Sequence, residues 1–543
     1  MKRRNFLKLT STASVLSMLP HEVFSFLQTA GIPECPDVSG KKIVLIQMAG
    51  ANDGLNTIIP VNQYDLYANL RPKLKINNSG PNGFIHLDTT LRPEDQIGLH
   101  PSMTGFKNLY DQGLMRIIQG TGYPDQNKSH FKSTDLWLTG GDGTRANFSY
   151  ESGWMGRFME NYYTDYLHAD FPLGIQLGSA DKSLGFHGAA EHGLSINISN
   201  KDTSGFYSVI NGLGGTPPTN IPNSEYGELI RFLVDLDAST NSYSQAISTA
   251  FSRGTNTIDY PQNDLSDQLK TVARFISGGL ETKIYLVKIS GFDTHEWQVV
   301  ENAAHTGFHA GLLQQISSAV EAFIIDLNNL NKGEDVMTLT FSEFGRKAAE
   351  NANFGTDHGE VAPMFMFGKT VTPGISGTNI NLHEATEDNN FQITTIQHDY
   401  RSVFSTILQD WLGAKNAVLD ASIYDNTNQI GFSDKKIPGL IHSTQLVPPS
   451  CYTEAVPVPI KTVGEIVIYP NPSSGFITIS CPADDEIYLL TIYTVSGTKV
   501  NTCPNHVKGP EMTIDTTHLA IGFYNFKIET KKQTVTKKVI IRR

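Results

Sequence analysis

Cysteine is scarce: four in 543 residues, Cys35, Cys451, Cys481 and Cys503, too few for a disulfide-dense scaffold. Their spacing matches no zinc pattern, although Cys481 and Cys503 sit where two neighbouring strands could pair them. Long apolar runs are missing too. None reaches the ~18 residues a membrane helix needs, and mean hydropathy is −0.22, so no transmembrane span is expected. Basic charge is in deficit, 42 Lys+Arg against 54 Asp+Glu, net −12, which gives no overall field to attract nucleic acid. No dinucleotide fingerprint occurs. Gly212-Leu213-Gly214-Gly215 runs into Thr216-Pro217-Pro218 without the Gly-Lys-Ser/Thr of a phosphate loop, and reads as a turn. What remains is ordinary globular composition, 39% hydrophobic and 18% charged, long enough for two to four domains at ~150 residues each.

The ends of the chain read as addresses. Lys2-Arg3-Arg4-Asn5-Phe6-Leu7-Lys8 precedes a short, weakly apolar stretch from Leu9 to Leu19. Paired arginines in that setting resemble a twin-arginine export signal over 1–30, which implies the twin-arginine translocase as partner; the general secretion route is the alternative. Pro448, Pro449, Pro457 and Pro459 mark a stiff linker, 446–463. Beyond it, seven short strand patterns separated by turn signals predict a small all-β sandwich over 464–543. Tyr469-Pro470-Asn471-Pro472, Gly475, Val495-Ser496-Gly497, Gly522-Phe523-Tyr524 and a last strand with Lys531, Lys532, Lys537, Lys538, Arg542 and Arg543 resemble the C-terminal sorting domain of the type IX secretion system of Bacteroidetes. The resemblance implies the type IX machinery as partner, with passage through the periplasm to the cell surface or the extracellular space.

Between the addresses lie residues 40–445. Apolar runs at 42–48, 114–118, 174–177, 282–289, 336–341 and 361–367 alternate with helical patterns at 103–112, 225–250, 265–277, 304–331 and 400–412. That alternation predicts an α/β fold, a mainly parallel sheet flanked by helices, with functional groups beyond the carboxyl ends of the strands. Polar residues gather there: Asp53 in Gly50-Ala51-Asn52-Asp53-Gly54, then Asp293 and His295, then Glu343 and Arg346, then Asp357 and His358. Carboxylates and imidazoles at several strand ends are a donor set for a divalent metal.

The motifs Gly50-Ala51-Asn52-Asp53-Gly54-Leu55-Asn56-Thr57, Leu99-His100-Pro101, Ser129-His130-Phe131 with Trp137, Gly153-Trp154-Met155-Gly156-Arg157, Gly291-Phe292-Asp293-Thr294-His295, Ser342-Glu343-Phe344-Gly345-Arg346, Thr356-Asp357-His358-Gly359 and Asp399-Tyr400-Arg401 run in order along this region. They resemble the bacterial domain of unknown function 1501 family, placed in the alkaline-phosphatase and sulfatase superfamily. The resemblance implies metal ligands after successive strands. Asp53 takes the first place. Asp293 and His295 take the next, two residues apart where the superfamily spaces them by four. Glu343 stands for the Asp of an Asp-His pair whose His is replaced by Phe344. His358 takes the place of the last His; alternatively Asp357-His358 is the pair itself, as in sulfatases. The implied cofactor is a divalent metal, zinc first, calcium or manganese as alternatives. Without an imidazole at 344, one metal or a softened pair of sites is expected rather than a complete two-zinc centre.

A nucleophile is expected at a helix start. Trp137-Leu138-Thr139-Gly140 resembles the end of the phosphatase nucleophile helix, and counting back reaches Ser129 or His130. A plain Ser N-cap is the alternative. Lys128 or Arg346 would neutralise developing charge. No Cys/Ser-x-Pro-x-Arg is present, which disfavours a formylglycine sulfatase. His100 reads as a loop histidine. His305 and His309, four apart on an expected helix, read as surface residues. The expectation is an exported metal-dependent hydrolase of phosphate or sulfate esters, small or polymeric. The alternative is a non-catalytic surface binding or scaffold protein that keeps the hydrolase fold.

Overall fold

The computed structural model describes residues 35–144, 152–178, 184–189, 194–198, 243–423, 432–452 and 466–541 apart from 470, 472, 474, 483–484 and 495–497. The export segment 1–30, most of the Pro-rich linker, the 225–242 part of one expected helix, the Gly212–Pro218 turn, Val495-Ser496-Gly497, Arg542 and Arg543 lie outside the described residues. The chain forms two units, Met1–Thr453 and Glu454–Arg543.

In the first unit the strands are β1 Lys42–Ala49, β2 Ile58–Pro60, β3 Ile85–His86, β4 Ile97–Leu99, β5 Met115–Gly122, β6 Gly174–Leu177, β7 Ser195–Ile198, β8 Ile284–Ser290, β9 Val336–Phe341, β10 Ala362–Phe367, β11 Gly374–Ser376 and β12 His398–Asp399. The helices used below are α1 Gly54–Thr57, α2 Tyr64–Leu70, α3 Thr104–Asp111, α4 His130–Thr139, α5 Trp154–Tyr162, α6 Asp264–Ser277, α7 Phe308–Asn329 and α8 Tyr400–Thr406. The main sheet has the order β11-β5-β10-β9-β1-β8-β6-β7, with β12 also pairing β5. β1 runs parallel to both β8 and β9, β6 to β7 and β8, and β11 and β12 to β5; β10 alone is antiparallel to its neighbours. The expected mainly parallel sheet with flanking helices is what the chain forms.

The apolar runs explain the layering. In β1 successive residues face opposite sides. Val44, Ile46 and Met48 join Leu269, Val272, Phe275, Leu313, Ile316, Val320, Phe106 and Leu109 from α6, α7 and α3. Ile43 and Leu45 join Trp137, Trp154, Phe158, Tyr400 and Phe404 from α4, α5 and α8. A strand covered on both faces must be apolar at every position, which is why it reads as a continuous run. Trp137 stacks on Tyr400 at 4.1 Å and on Phe341 at 5.3 Å. Its indole N–H donates to the Glu343 carbonyl at 3.0 Å. This locks the helix that starts at His130 against the end of β9.

Two expectations change. The helix expected from Ala304 begins at Phe308, after Gly307 at φ +121°. His305 therefore precedes it, and His309 lies in its first turn, buried rather than on the surface. The helix expected over 400–412 passes from α8 into a wider π-helical turn at Ile407–Trp411. Cys35 and Cys451, residues for which the sequence suggested no partner, form a disulfide across 416 residues.

The second unit holds β13 Val467–Tyr469, β14 Phe476–Ser480, β15 Ile487–Thr494, β16 Lys499–Gly509, β17 Glu511–Asp515, β18 Gly522–Thr530 and β19 Thr534–Ile541. They make two antiparallel sheets, β13-β14-β17 and β16-β15-β18-β19. Ile477, Ile479, Leu490, Ile492, Phe526, Ile528 and Val539 fill the core between them. Among the described residues no helix is long and apolar enough to cross a membrane.

Candidate metal centre

The carboxyl ends of β1, β8 and β9 lie side by side, so their loops meet. Close approach there requires glycine. Gly50 has φ +115°, and a Cβ on it would lie 2.3 Å from the Asp293 backbone nitrogen. Arg346, buried, ties the three loops together. Its guanidinium donates to the carbonyls of Ala51 (2.8 Å), Thr356 (2.9 Å), Gly50 (2.5 Å) and Phe292 (3.0 Å), and to Asp293 Oδ1 (2.8 Å).

Above this hub three imidazoles and one carboxylate converge. His358 Nε2 lies 3.1 Å from His130 Nε2 and 2.8 Å from His295 Nε2. Asp293 Oδ1 is 3.3 Å from His130 Nε2, 3.3 Å from His295 Nε2 and 3.7 Å from His358 Nε2. Phe344 packs beneath two of the rings, 4.8 Å from each of His130 and His358.

The outer nitrogens fix the tautomers. His358 Nδ1 faces the Lys128 carbonyl at 2.8 Å, an oxygen that can only accept. His130 Nδ1 faces Glu343 Oε1 at 2.8 Å, and His295 Nδ1 faces Asp357 Oδ1 at 3.2 Å. Each Nδ1 is therefore the donor, and in its neutral form each ring turns a bare Nε2 lone pair inward. Three lone pairs and a carboxylate facing one point repel unless a cation lies between them. A tetrahedral zinc with bonds of about 2.0–2.1 Å has ligand-to-ligand edges of roughly 3.3 Å, within the 3.1–3.7 Å that separate the His130, Asp293 and His358 atoms. His130, Asp293 and His358 offer ligand atoms that all lie within 4.8 Å of one another, with His295 against two of them.

Charge follows the same design. The Glu343 hydrogen bond holds His130 above the usual imidazole range despite burial. Burial and the Arg346 charge push His358 below it. Burial alone would raise Asp293, but the Arg346 bond and charge outweigh it and hold the carboxyl below the ordinary range. In Asp357 the bonds from Asn351 and His295 likewise outweigh burial.

The other residues singled out in the sequence fall around this set. Glu343 and Asp357, expected as ligands, face the outer nitrogens of His130 and His295. Glu343 Oε1 also accepts from Gly50 N–H at 2.8 Å, and its buried Oε2 has no hydrogen-bond partner among the described residues. Asp53, expected as a ligand, is fully buried at the start of α1. Its Oδ2 accepts from Arg71 and from Gln298, both at 2.6 Å. A buried carboxylate needs a counter-charge, and here a guanidinium supplies it where a metal was expected. Lys128, expected to face developing charge, pairs with Glu360 at 2.9 Å. Arg346, given the same role, has its donors taken by the loops. His130, one of two candidate nucleophiles, has both ring nitrogens engaged. Ser129, the other, is the exposed N-cap of α4, and its hydroxyl makes no capping bond. Sequence reasoning gave no sign of Arg71, Gln298 or Asn351, whose amide donates to the His295 carbonyl at 2.8 Å and to Asp357 at 3.2 Å. They sit in segments without a motif.

No curated protein matches the chain. Among solved structures, a protein in the alkaline phosphatase superfamily from Vibrio parahaemolyticus is 10% identical, with 86% of this chain and 82% of that one covered and a TM-score of 0.32. The PsFucS1 sulfatase from Pseudoalteromonas sp. is 9% identical, with 90% and 83% covered and a TM-score of 0.31. The alkaline phosphatase from the Antarctic bacterium TAB5 is 11% identical, with 62% and 93% covered and a TM-score of 0.27. A family model described as a secretion system C-terminal sorting domain matches residues 467–542, nearly all of the second unit. The model described as a protein of unknown function (DUF1501) matches residues 273–410, the segment that carries Asp293, His295, Glu343, Arg346, Asp357 and His358.

Proposed function

We propose that the protein is an exported hydrolase of phosphate or sulfate esters that works with one divalent cation. The observation that carries this reading is the convergence of three outward-tethered imidazoles and Asp293 on one point. His130, His295, His358 and Asp293 would hold the cation. Three nitrogens and one oxygen suit zinc and do not suit calcium, which takes six to eight oxygens. A cation held there supplies Lewis acidity toward an ester oxygen. Glu343, Asp357 and the Lys128 carbonyl hold the rings in the ligating tautomer and raise their basicity. Arg346 keeps Asp293 ionised. Ser129, between Lys128 and His130, would act as nucleophile, its support being the helix N-terminus it caps, where backbone N–H groups favour negative charge. Arg71 neutralises Asp53, which supports one cation rather than two. The sorting domain supports delivery to the cell surface or the extracellular space.

Phe344 and the Asp53–Arg71 pair favour a second reading, a surface binding or scaffold protein that keeps the fold without turnover. The experiment that separates them uses the full chain purified without chelator. Metal analysis is expected to find about one zinc-class ion per chain in the wild type, lost in His130→Ala and His358→Ala with the fold intact by circular dichroism. Hydrolysis of p-nitrophenyl phosphate or sulfate should accompany the ion and vanish in Ser129→Ala. Metal without turnover supports the scaffold; no metal after zinc and manganese are offered overturns the hydrolase.

A further inference from the structure

Behind the centre one side-chain amide touches all three strand-end loops. Gln298 is fully buried, as are Asp53 and Thr356, and Thr294 is buried with them. Gln298 Nε2 donates to Asp53 Oδ2 at 2.6 Å. Its Oε1 accepts from Thr294 Oγ1 at 3.0 Å and from Thr356 Oγ1 at 2.9 Å. Asp53 lies in the loop after β1, Thr294 in the loop after β8 and Thr356 in the loop after β9.

The orientation of this amide is fixed by charge. Asp53, paired with Arg71 at 2.6 Å, is a carboxylate and can only accept. The amide must turn its nitrogen to Asp53 and its oxygen to the threonines, so both hydroxyls must donate. Away from water, none of these bonds has a ready substitute.

Both threonines sit inside the segments that carry the ligand set. Burial alternates from Phe292 to His295. Phe292 and Thr294 are buried, whereas the Asp293 and His295 side chains are 50% and 43% exposed. Thr294 therefore anchors, from the buried side, the backbone between Asp293 and His295. Thr356 lies two residues before His358 and next to Asp357, which faces His295 Nδ1. The two segments also touch directly. Thr356 N–H donates to the Thr294 carbonyl at 3.1 Å, and a Cβ on Gly355 would lie 2.3 Å from the His295 carbonyl oxygen. Arg346 holds these loops by their carbonyls; Gln298 holds them by their side chains.

We propose that Gln298 is a positioning residue for the cation: anchored by Asp53, its amide sets the spacing between the segment that carries Asp293 and His295 and the segment that carries His358. This rests on the reading that the centre holds a cation, and not on turnover. It gives Asp53, which stands where a ligand was expected, an effect on the centre through Gln298. Asp53→Asn keeps an accepting oxygen for this amide. Groups outside the coordination set commonly change metal affinity by roughly 10- to 100-fold.

The test is the zinc affinity of the full chain, measured by competition with a chromophoric chelator. The visible spectrum of the cobalt(II)-loaded protein and the thermal midpoint are read beside it. Thr294→Val and Thr356→Val remove the hydroxyls at nearly constant shape. Thr294→Ser and Thr356→Ser keep the hydroxyls and lose a methyl group. Packing alone favours valine; the amide clamp favours serine. Gln298→Met, Thr294→Val and Thr356→Val should each weaken zinc binding about tenfold and shift the cobalt bands, while the serine variants stay near the wild type. Should Gln298→Met fail to fold, the two threonine series decide. Valine variants with wild-type affinity and bands, or serine as damaging as valine, would overturn this inference alone. A wild-type chain that binds neither zinc nor cobalt would overturn it together with the hydrolase reading.

Discussion

Asp53 and Arg71 are both fully buried, and each answers the other's charge. Arg71 also donates to Asn56 Oδ1 and to the carbonyls of Lys347 and Ala348, so its guanidinium fastens the loop after β1 to the loop after β9. Burial would raise the Asp53 carboxyl, yet the Arg71 charge and hydrogen bond outweigh it and hold the pKa below the ordinary value. Removing one member of such a pair strands the other without water. Asp53→Asn should therefore cost about 3–5 kcal/mol of stability while leaving the metal content at the wild-type level, read by urea unfolding and metal analysis together. Loss of the cation at unchanged stability would instead make Asp53 a ligand. Two histidines beside this pair set an acid limit. Burial lowers His309 to about 4 and His100 to about 3. In the unfolded chain both bind protons near pH 6.5, so the folded state binds fewer protons below that value. Their contribution is whole above pH 6.5 and is lost as pH falls through it toward 4 and 3. The thermal midpoint should fall over that window, and His309→Gln should flatten the slope; an unchanged slope would mean that His309 is protonated in the folded protein.

At the scale of elements, the strands were legible because a strand covered on both faces is largely apolar, as β1 is from Ile43 to Ile46. The strand ends were legible because each apolar run gives way there to carboxylates and imidazoles, Asp53, Asp293 and His295, and Glu343. His130 was named as a nucleophile because its neighbours resembled a nucleophile helix; that it meets His358 depends on a contact across 228 residues, which no local pattern encodes. His309 was misplaced because Gly307 ends one segment and starts another, and the register of a helix decides which residues are buried. Arg71 and Gln298 gave no signal, since a single arginine or glutamine carries no period. The glycines do encode the junction. A Cβ at Gly50 would meet backbone atoms of Phe292 and Asp293 that cannot step aside. Gly50→Ala should separate the loops after β1 and β8, lowering the thermal midpoint and the metal content together. Gly311, inside α7, meets nothing within 4 Å, so Gly311→Ala should stabilise by up to about 1 kcal/mol. If both substitutions behave alike, close packing of the strand ends does not hold the centre.

For the whole molecule, the Cys35–Cys451 disulfide joins the segment before β1 to the last described residues of the first unit. A bond of this kind persists in oxidising compartments, which agrees with export directed by the sorting domain. Its loop is very long, so it removes much freedom from the unfolded chain, and the loss of such a bond costs on the order of 2–4 kcal/mol. It lies toward the amino ends of the central strands, where Lys42 N–H donates to the Asp335 carbonyl. The centre lies at their carboxyl ends, a β1 length of roughly 26 Å away. Stability and cation binding should therefore separate. Reduction with dithiothreitol, or the double substitution Cys35→Ser and Cys451→Ser, should shift the unfolding midpoint down while metal content and its loss in His358→Ala stay as they are. Equal midpoints with and without reductant would show that the bond does not hold the unit together. Loss of the cation on reduction would show that the two ends of the sheet are coupled, and that the disulfide sets the geometry of the centre as well as the stability of the fold around it.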